Sequence, residues 1–225
     1  MDRKKLLKGV IDIHVHAGPS VAARELDAAD MLKEAEAAGY RGFLVKDHYF
    51  PSMMGCQMVQ RHLGSGSVEV FGSMCLNNAM GLFNLNAVDV AYGMGAKMIY
   101  FPTVSSKNHI DAHKGHFAGA GKMSVPETPV VYVDENGRLD PAAVRILEYM
   151  SEKDMALGTG HGSAREVDAL VRKAVEVGMK KILVNHPHFH IGATYEQMRQ
   201  WAALGAYIEL NVCVFSEGSK MGPLP

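Results

Sequence analysis

Cysteine is scarce in this chain: Cys56, Cys75 and Cys213 are the only three in 225 residues. They are too few and too scattered for a disulfide framework or a cysteine-rich zinc knuckle, and read as reduced thiols in a cytoplasmic protein. Charge of one sign is scarce too. Lys and Arg number 23 against 24 Asp and Glu, a formal balance of -1, so there is no electrostatic pull toward nucleic acid or an anionic membrane. Long hydrophobic runs are missing. The longest uncharged stretch, Val70 to Val88, carries four asparagines and two glycines, which excludes a membrane-spanning reading. The basic start MDRKKLLKGVIDIHVH is followed by a short apolar run broken at Asp12 and His14, unlike a signal peptide. Short tandem repeats are also missing.

What is present is a globular mixture, 48% apolar and 21% charged, long enough for one large core. We expect a single domain over residues 1–225. One junction recurs: EAAGYRGFLV, YGMGAKMIYF, VEVGMKKILV and AALGAYIEL each pass from a helix-like segment through a glycine into an apolar strand. Glycines 39, 95, 178 and 205 supply the left-handed cap that lets a helix end and the chain reverse. Four such junctions predict alternating helix and strand around a mostly parallel sheet.

The helices carry matching punctuation. Ser163 with Glu166, and Thr194 with Gln197, have capping-box spacing, and Asp140-Pro141 reads as an N-cap followed by a first-turn proline. Strands are expected near 10–16, 41–48, 68–76, 97–103, 155–160, 181–186 and 206–212. Their near-continuous apolar cores suit strands covered on both faces. The predicted fold class is α/β, a (β/α) TIM-like barrel with seven strand–helix units and the eighth missing or truncated, a full barrel usually taking about 250 residues. An insertion at about 105–140 contains a hairpin turning at Asn136-Gly137. Unpaired strand edges in an open barrel make a homo-oligomer an expectation.

Histidines sit where the predicted strands end. His14 and His16 end strand one, His48 follows strand two, His161 follows strand five and His186 closes strand six. In a (β/α) barrel these ends converge on the mouth that holds the chemistry. Neutral imidazole is the commonest metal ligand, and a catalytic zinc-type site wants three or more protein ligands with one position open. His14, His16, His161 and His186 are therefore the candidate metal ligands, for zinc first and manganese or iron next. Asp12, on the same face by strand alternation, is a candidate acceptor orienting an imidazole. Lys46 shares parity with His48, and either would hold a substrate's negative charge. Glu209, in YIEL, is unusual in a buried strand and joins Lys46 and His48 among the candidate catalytic groups.

In this order and on these elements, the His14-Val15-His16 pair, His161 and His186 resemble the amidohydrolase superfamily of metal-dependent hydrolases. The resemblance runs to strand seven and implies a metal-activated water that cleaves a C–N or C–O bond of a small molecule. It has departures. Strand four ends IYFPTV, without the bridging group many relatives carry, so one metal is expected rather than two, with Lys46 as a substitute ligand if carboxylated. The family's aspartate after strand eight has no counterpart. Asp47-His48 also fits a related phosphoesterase group of the polymerase-and-histidinol-phosphatase type, although HAGPS follows the first strand here. A decarboxylase of the same superfamily and a non-catalytic metal-binding protein complete the alternatives.

The remaining histidines read more plainly. His62 marks the end of a surface helix, and His188 and His190 belong to a loop at the mouth. His109, His113 and His116 read as a glycine-rich lid meeting an anionic substrate, with a second metal cluster as the alternative.

Overall fold

The computed structural model describes residues 3–114, 117 and 119–218. A short helix, α1 (Arg3–Leu7), precedes the first strand. Seven strands then follow: β1 (Ile11–Val15), β2 (Gly42–Val45), β3 (Glu69–Cys75), β4 (Met98–Tyr100), β5 (Ala156–Gly158), β6 (Ile182–Val184) and β7 (Tyr207–Ile208). Each pairs in parallel with the next in sequence, in the order β1 to β7. Helices α2 (Ala28–Ala38), α3 (Met53–Leu63), α4 (Leu85–Gly93), α6 (Pro141–Glu152), α7 (Ala164–Glu176) and α8 (Tyr195–Ala203) make the crossovers, and α5 (Lys107–His113) lies in the insertion after β4. The architecture is a TIM-like α/β barrel with one unit missing, as the alternation of elements predicted.

Local chemistry explains the helix limits. Both capping boxes form, with Ser163 and Thr194 accepting the N–H groups of Glu166 and Gln197. Asp27, which sequence reading had not singled out, caps α2 by accepting from Ala29 and Asp30. Each such cap is worth about 1 kcal/mol. Gly39 ends α2 at φ +76°, where an L side chain would be strained. The hairpin expected at Asn136-Gly137 reduces to a tight turn, closed by Asp134 N–H to the Arg138 carbonyl at 2.9 Å and one antiparallel bridge between Val133 and Leu139.

Packing divides along the two faces of the sheet. Outside, Ile99, Phe101, Leu157 and Val184 bury against Ile146, Leu147, Leu170 and Trp201 of the surrounding helices, and Phe43 and Val45 bury against α2. Inside, Leu44, Cys75, Met98, Tyr100 and Leu183 fill the barrel below its mouth. Gly158 makes this possible, because a Cβ there would overlap the Tyr100 ring. Among the described residues no helix is long and apolar enough to cross a membrane.

The cysteines report on this packing. Burial pushes the Cys56 thiol up to about 11 and that of Cys75, inside the barrel, up to about 12, whereas Cys213 is exposed. Thiolate is the reactive form. At pH 8 a disulfide reagent is expected to titrate one thiol in the native protein and three after denaturation. Rapid native reaction of Cys75 would show the barrel interior to be open.

Candidate metal centre

The first strand departs from simple alternation. Ile11 pairs with Gly42 and Asp12 with Phe43, but Val15 pairs with Val45. Three steps along β1 thus match two along β2, which is a β-bulge. Below the bulge Ile11 and Ile13 face the barrel, lining its lower cavity with Leu44 and Phe71. Above it His14 and His16 face inward. Asp12 stands opposite Phe43, on the helix-facing side, so the expectation that it orients an imidazole is corrected. Its Oδ1 instead accepts the backbone N–H of His14 at 3.0 Å, satisfying a donor that the bulge removes from the ladder.

The strands are also shorter than expected. His16 lies just past β1, His48 three residues past β2, His161 three past β5 and His186 two past β6. The fold nonetheless brings all five imidazoles into a closed ring at the mouth. Neighbouring centroids are 5.0 Å apart for His14–His16, 4.7 Å for His16–His48 and 5.5 Å for His48–His161. His161–His186 at 5.0 Å and His186–His14 at 5.6 Å close the circuit.

Within the ring, His14 Nε2 is 3.2 Å from His16 Nε2, and its Nδ1 is 2.8 Å from Glu209 Oε1. Glu209 Oε2 accepts from Asn185 Nδ2 and from the His186 N–H, both at 3.1 Å. His14, His186 and Glu209 form a possible metal site, each offering a ligand atom within 4.8 Å of the other two. His186 adopts φ +27°, unusual for a residue with a side chain. Such strain gathers at working sites.

Lys46 is wholly buried. Its Nζ is 3.2 Å from His14 Nε2 and 4.4 Å from the centre of the Tyr100 ring. Tyr100 forms the floor and donates its hydroxyl to the Ile13 carbonyl at 3.1 Å. His48 Nδ1 meets Thr103 Oγ1 at 2.8 Å, and that oxygen accepts from Asn77 Nδ2 at 2.7 Å.

Burial dominates the electrostatics. It holds His14, His16 and His48 well below the ordinary imidazole range, with Lys46 adding a smaller push in the same direction. Burial likewise lowers the Lys46 amine. The neutral imidazole, which is the form that ligates metals, is thereby favoured.

Two further groups reach this mouth, one placed differently from the sequence expectation and one without any signal in the sequence. His109, expected in a glycine-rich lid, is on helix α5, buried, with Nδ1 2.9 Å from His161 Nδ1 and its pKa pushed down by burial to about 3. His113 lies beside it, the two rings tilted at 48° with centroids 4.4 Å apart; His116 lies outside the described residues. Arg24, in the loop from β1 to α2, joins the five histidines in the wall of a cavity of about 500 Å³. His188 lies in the wide helical turn Pro187–Ile191 and stacks on Phe215.

Fold and site together define a seven-unit (β/α) barrel with a histidine-ringed mouth. Residues 9–209 match the model of a family of unknown function, DUF6282, and the chain belongs to that family. No curated protein matches it. Among solved structures it is similar to a Xaa-Pro dipeptidase with methionine bound in the active site, at 14% identity and a TM-score of 0.47, over 89% of this chain and 52% of that one. The chain thus spans about half the length of that dipeptidase. It is also similar to a phosphonopyruvate hydrolase in complex with oxalate and Mg++, at 13% identity and a TM-score of 0.41, over 94% of this chain and 79% of that one.

Proposed function

We propose that this protein is a metal-dependent hydrolase of the amidohydrolase type, acting on a C–N or C–O bond of a small molecule. His14, His16, His161 and His186 would hold one divalent cation, zinc before manganese or iron. The observation that carries this reading is the 3.2 Å between His14 Nε2 and His16 Nε2. Tetrahedral zinc about 2.0–2.1 Å from each nitrogen sets two such atoms about 3.3–3.4 Å apart. When bound, the cation supplies Lewis acidity, lowering the pKa of a water toward about 7 and polarising a carbonyl or phosphoryl oxygen.

The chain's own groups prepare for it. Glu209 accepts the Nδ1 proton of His14, which leaves the Nε2 lone pair directed at His16. Asn185 and the His186 N–H fix that carboxylate in turn, so Glu209 is a positioning residue rather than the base. Thr103, accepting from Asn77, donates its proton to His48 Nδ1. His48 then carries its own proton on Nε2 and serves as a hydrogen-bond donor at the mouth rather than as a ligand. Lys46, against His14 Nε2, contributes its amine, or an oxygen once carboxylated, to the same centre. Three free cysteines support a cytoplasmic location.

The test is calorimetric titration of chelator-stripped protein with zinc, manganese and magnesium, followed by assay of the loaded protein on N-acyl amino acids, lactones and phosphomonoesters. One tight equivalent and hydrolysis that a chelator abolishes and metal restores are expected. Failure to bind any of the three ions tightly sinks the reading. Two or more equivalents with phosphomonoester turnover would replace it with a phosphoesterase.

A further inference from the structure

We infer that the cavity takes a substrate with a carboxylate and an apolar body, and that Arg24 is the residue that binds the carboxylate. The substrate class rests on the hydrolase reading; the binding geometry stands on separate observations.

The Arg24 side chain is only 10% exposed, and it shares the wall of the 500 Å³ cavity with the imidazole ring. Its Nε and Nη2 are buried with no hydrogen-bond partner. Those two N–H groups lie on one edge of the guanidinium, spaced to meet both oxygens of a carboxylate. Leaving charged donors unmet in the interior is costly.

Asp47 pairs with Arg24 in charge but does not hydrogen-bond to it. Its Oδ2 is 3.8 Å from Nη2, beyond hydrogen-bond reach, and its Oδ1 already accepts the N–H groups of Tyr49 and Phe50 at 2.8 and 3.0 Å. With one oxygen committed to the backbone, Asp47 has no pair of oxygens for the fork. Its negative charge does bias the site toward a monoanion over a phosphoryl dianion, since a second full charge would be repelled.

The rest of the wall fits an apolar body. Leu26, Met31, Phe117, Phe189 and Val214 also line the cavity, and its volume suits a small molecule. The loop that carries Arg24 is fixed at both sides. Gly18 N–H bonds the Leu26 carbonyl at 2.9 Å, and Ala22 bridges to Gly121 while packing with Tyr49 and Val104. The guanidinium is thus pre-positioned, which reduces the ordering cost of binding.

The experiment measures zinc-loaded wild type, Arg24→Gln, Arg24→Met and Asp47→Asn for binding of 4-phenylbutyrate, its neutral amide 4-phenylbutanamide, and phenylphosphonate. Wild type is expected to prefer the acid over the amide by roughly ten- to hundredfold, the worth of a charge-assisted pair. Both Arg24 variants should lose that preference while retaining zinc, and Asp47→Asn should keep it.

Equal affinity for acid and amide in wild type overturns the inference without reference to any variant. A preference that survives in both Arg24 variants also overturns it, by placing the carboxylate on the cation. Arg24-dependent binding that favours phenylphosphonate over the acid assigns a phosphoryl substrate instead. Failure of the hydrolase reading looks different: zinc is not bound by wild type, yet the Arg24-dependent acid preference persists.

Discussion

His14→Ala, purified without chelator, is expected to come off the column without metal, while His48→Gln comes off with the wild-type complement. The contrast follows from the two nitrogens of each ring. His14 turns Nε2 toward His16 and Nδ1 toward Glu209, so its removal deletes a ligand and takes one of three partners from the Glu209 carboxylate. His48 has Nδ1 on Thr103 and offers a hydrogen-bonding N–H rather than a lone pair. Glu209→Gln falls between them. Its amide accepts one hydrogen bond less well and brings no charge, and loss of such an outer partner weakens metal affinity by roughly 10–100-fold. His14→Ala should exceed that range. Elemental analysis with a chelator competition assay gives all three numbers. Equal metal in wild type and His14→Ala would leave the histidine ring without a cation to hold. Turnover adds a second axis, since His48→Gln should keep the ion and lose rate.

Much of this was legible before any coordinates. The glycines at the helix ends and the S-x-x-E and T-x-x-Q caps are local signals, set by φ and by side chains three residues apart, and they located the alternation of elements. The histidines followed because strand ends in a barrel converge whatever lies between them in sequence. The misreadings concern properties that no single segment contains. The bulge in β1 is a relation of register between two strands, and one extra residue moves Asp12 to the outer face while His14 and His16 stay inside. His109 sits in an insertion whose periodicity is too short to read, and its buried contact with His161 spans 52 positions. Arg24 had no signal at all. In VAARELDAAD it looks like a solvated loop charge next to a helix cap, and only the three-dimensional wall shows its donors unmet.

Gly160→Ala is expected to cost the protein about 3–5 kcal/mol, adding a left-handed side chain to a backbone clash. Gly160 has φ +69°, and a Cβ there would lie 2.5 Å from the Pro102 carbonyl oxygen and closer still to that of Phe101. Relief by backbone movement is blocked on both sides. Gly160 N–H donates to Asn185 Oδ1 at 3.1 Å, and the next residue, His161, donates its N–H to the same Pro102 carbonyl at 2.9 Å. Gly137→Ala is the matched comparison. It too has positive φ, +80°, but nothing lies within 4 Å of its added Cβ, so only the conformational term of about 1 kcal/mol remains. In a chain of this size each kcal/mol shifts the melting temperature by about 2–4 °C. Gly160→Ala should therefore melt roughly 10 °C lower or fail to fold, while Gly137→Ala falls by a few degrees. Equal melting of the two would mean that the turn after β5 yields, and that His161 is held by something other than the tight passage of its own backbone beneath strand four.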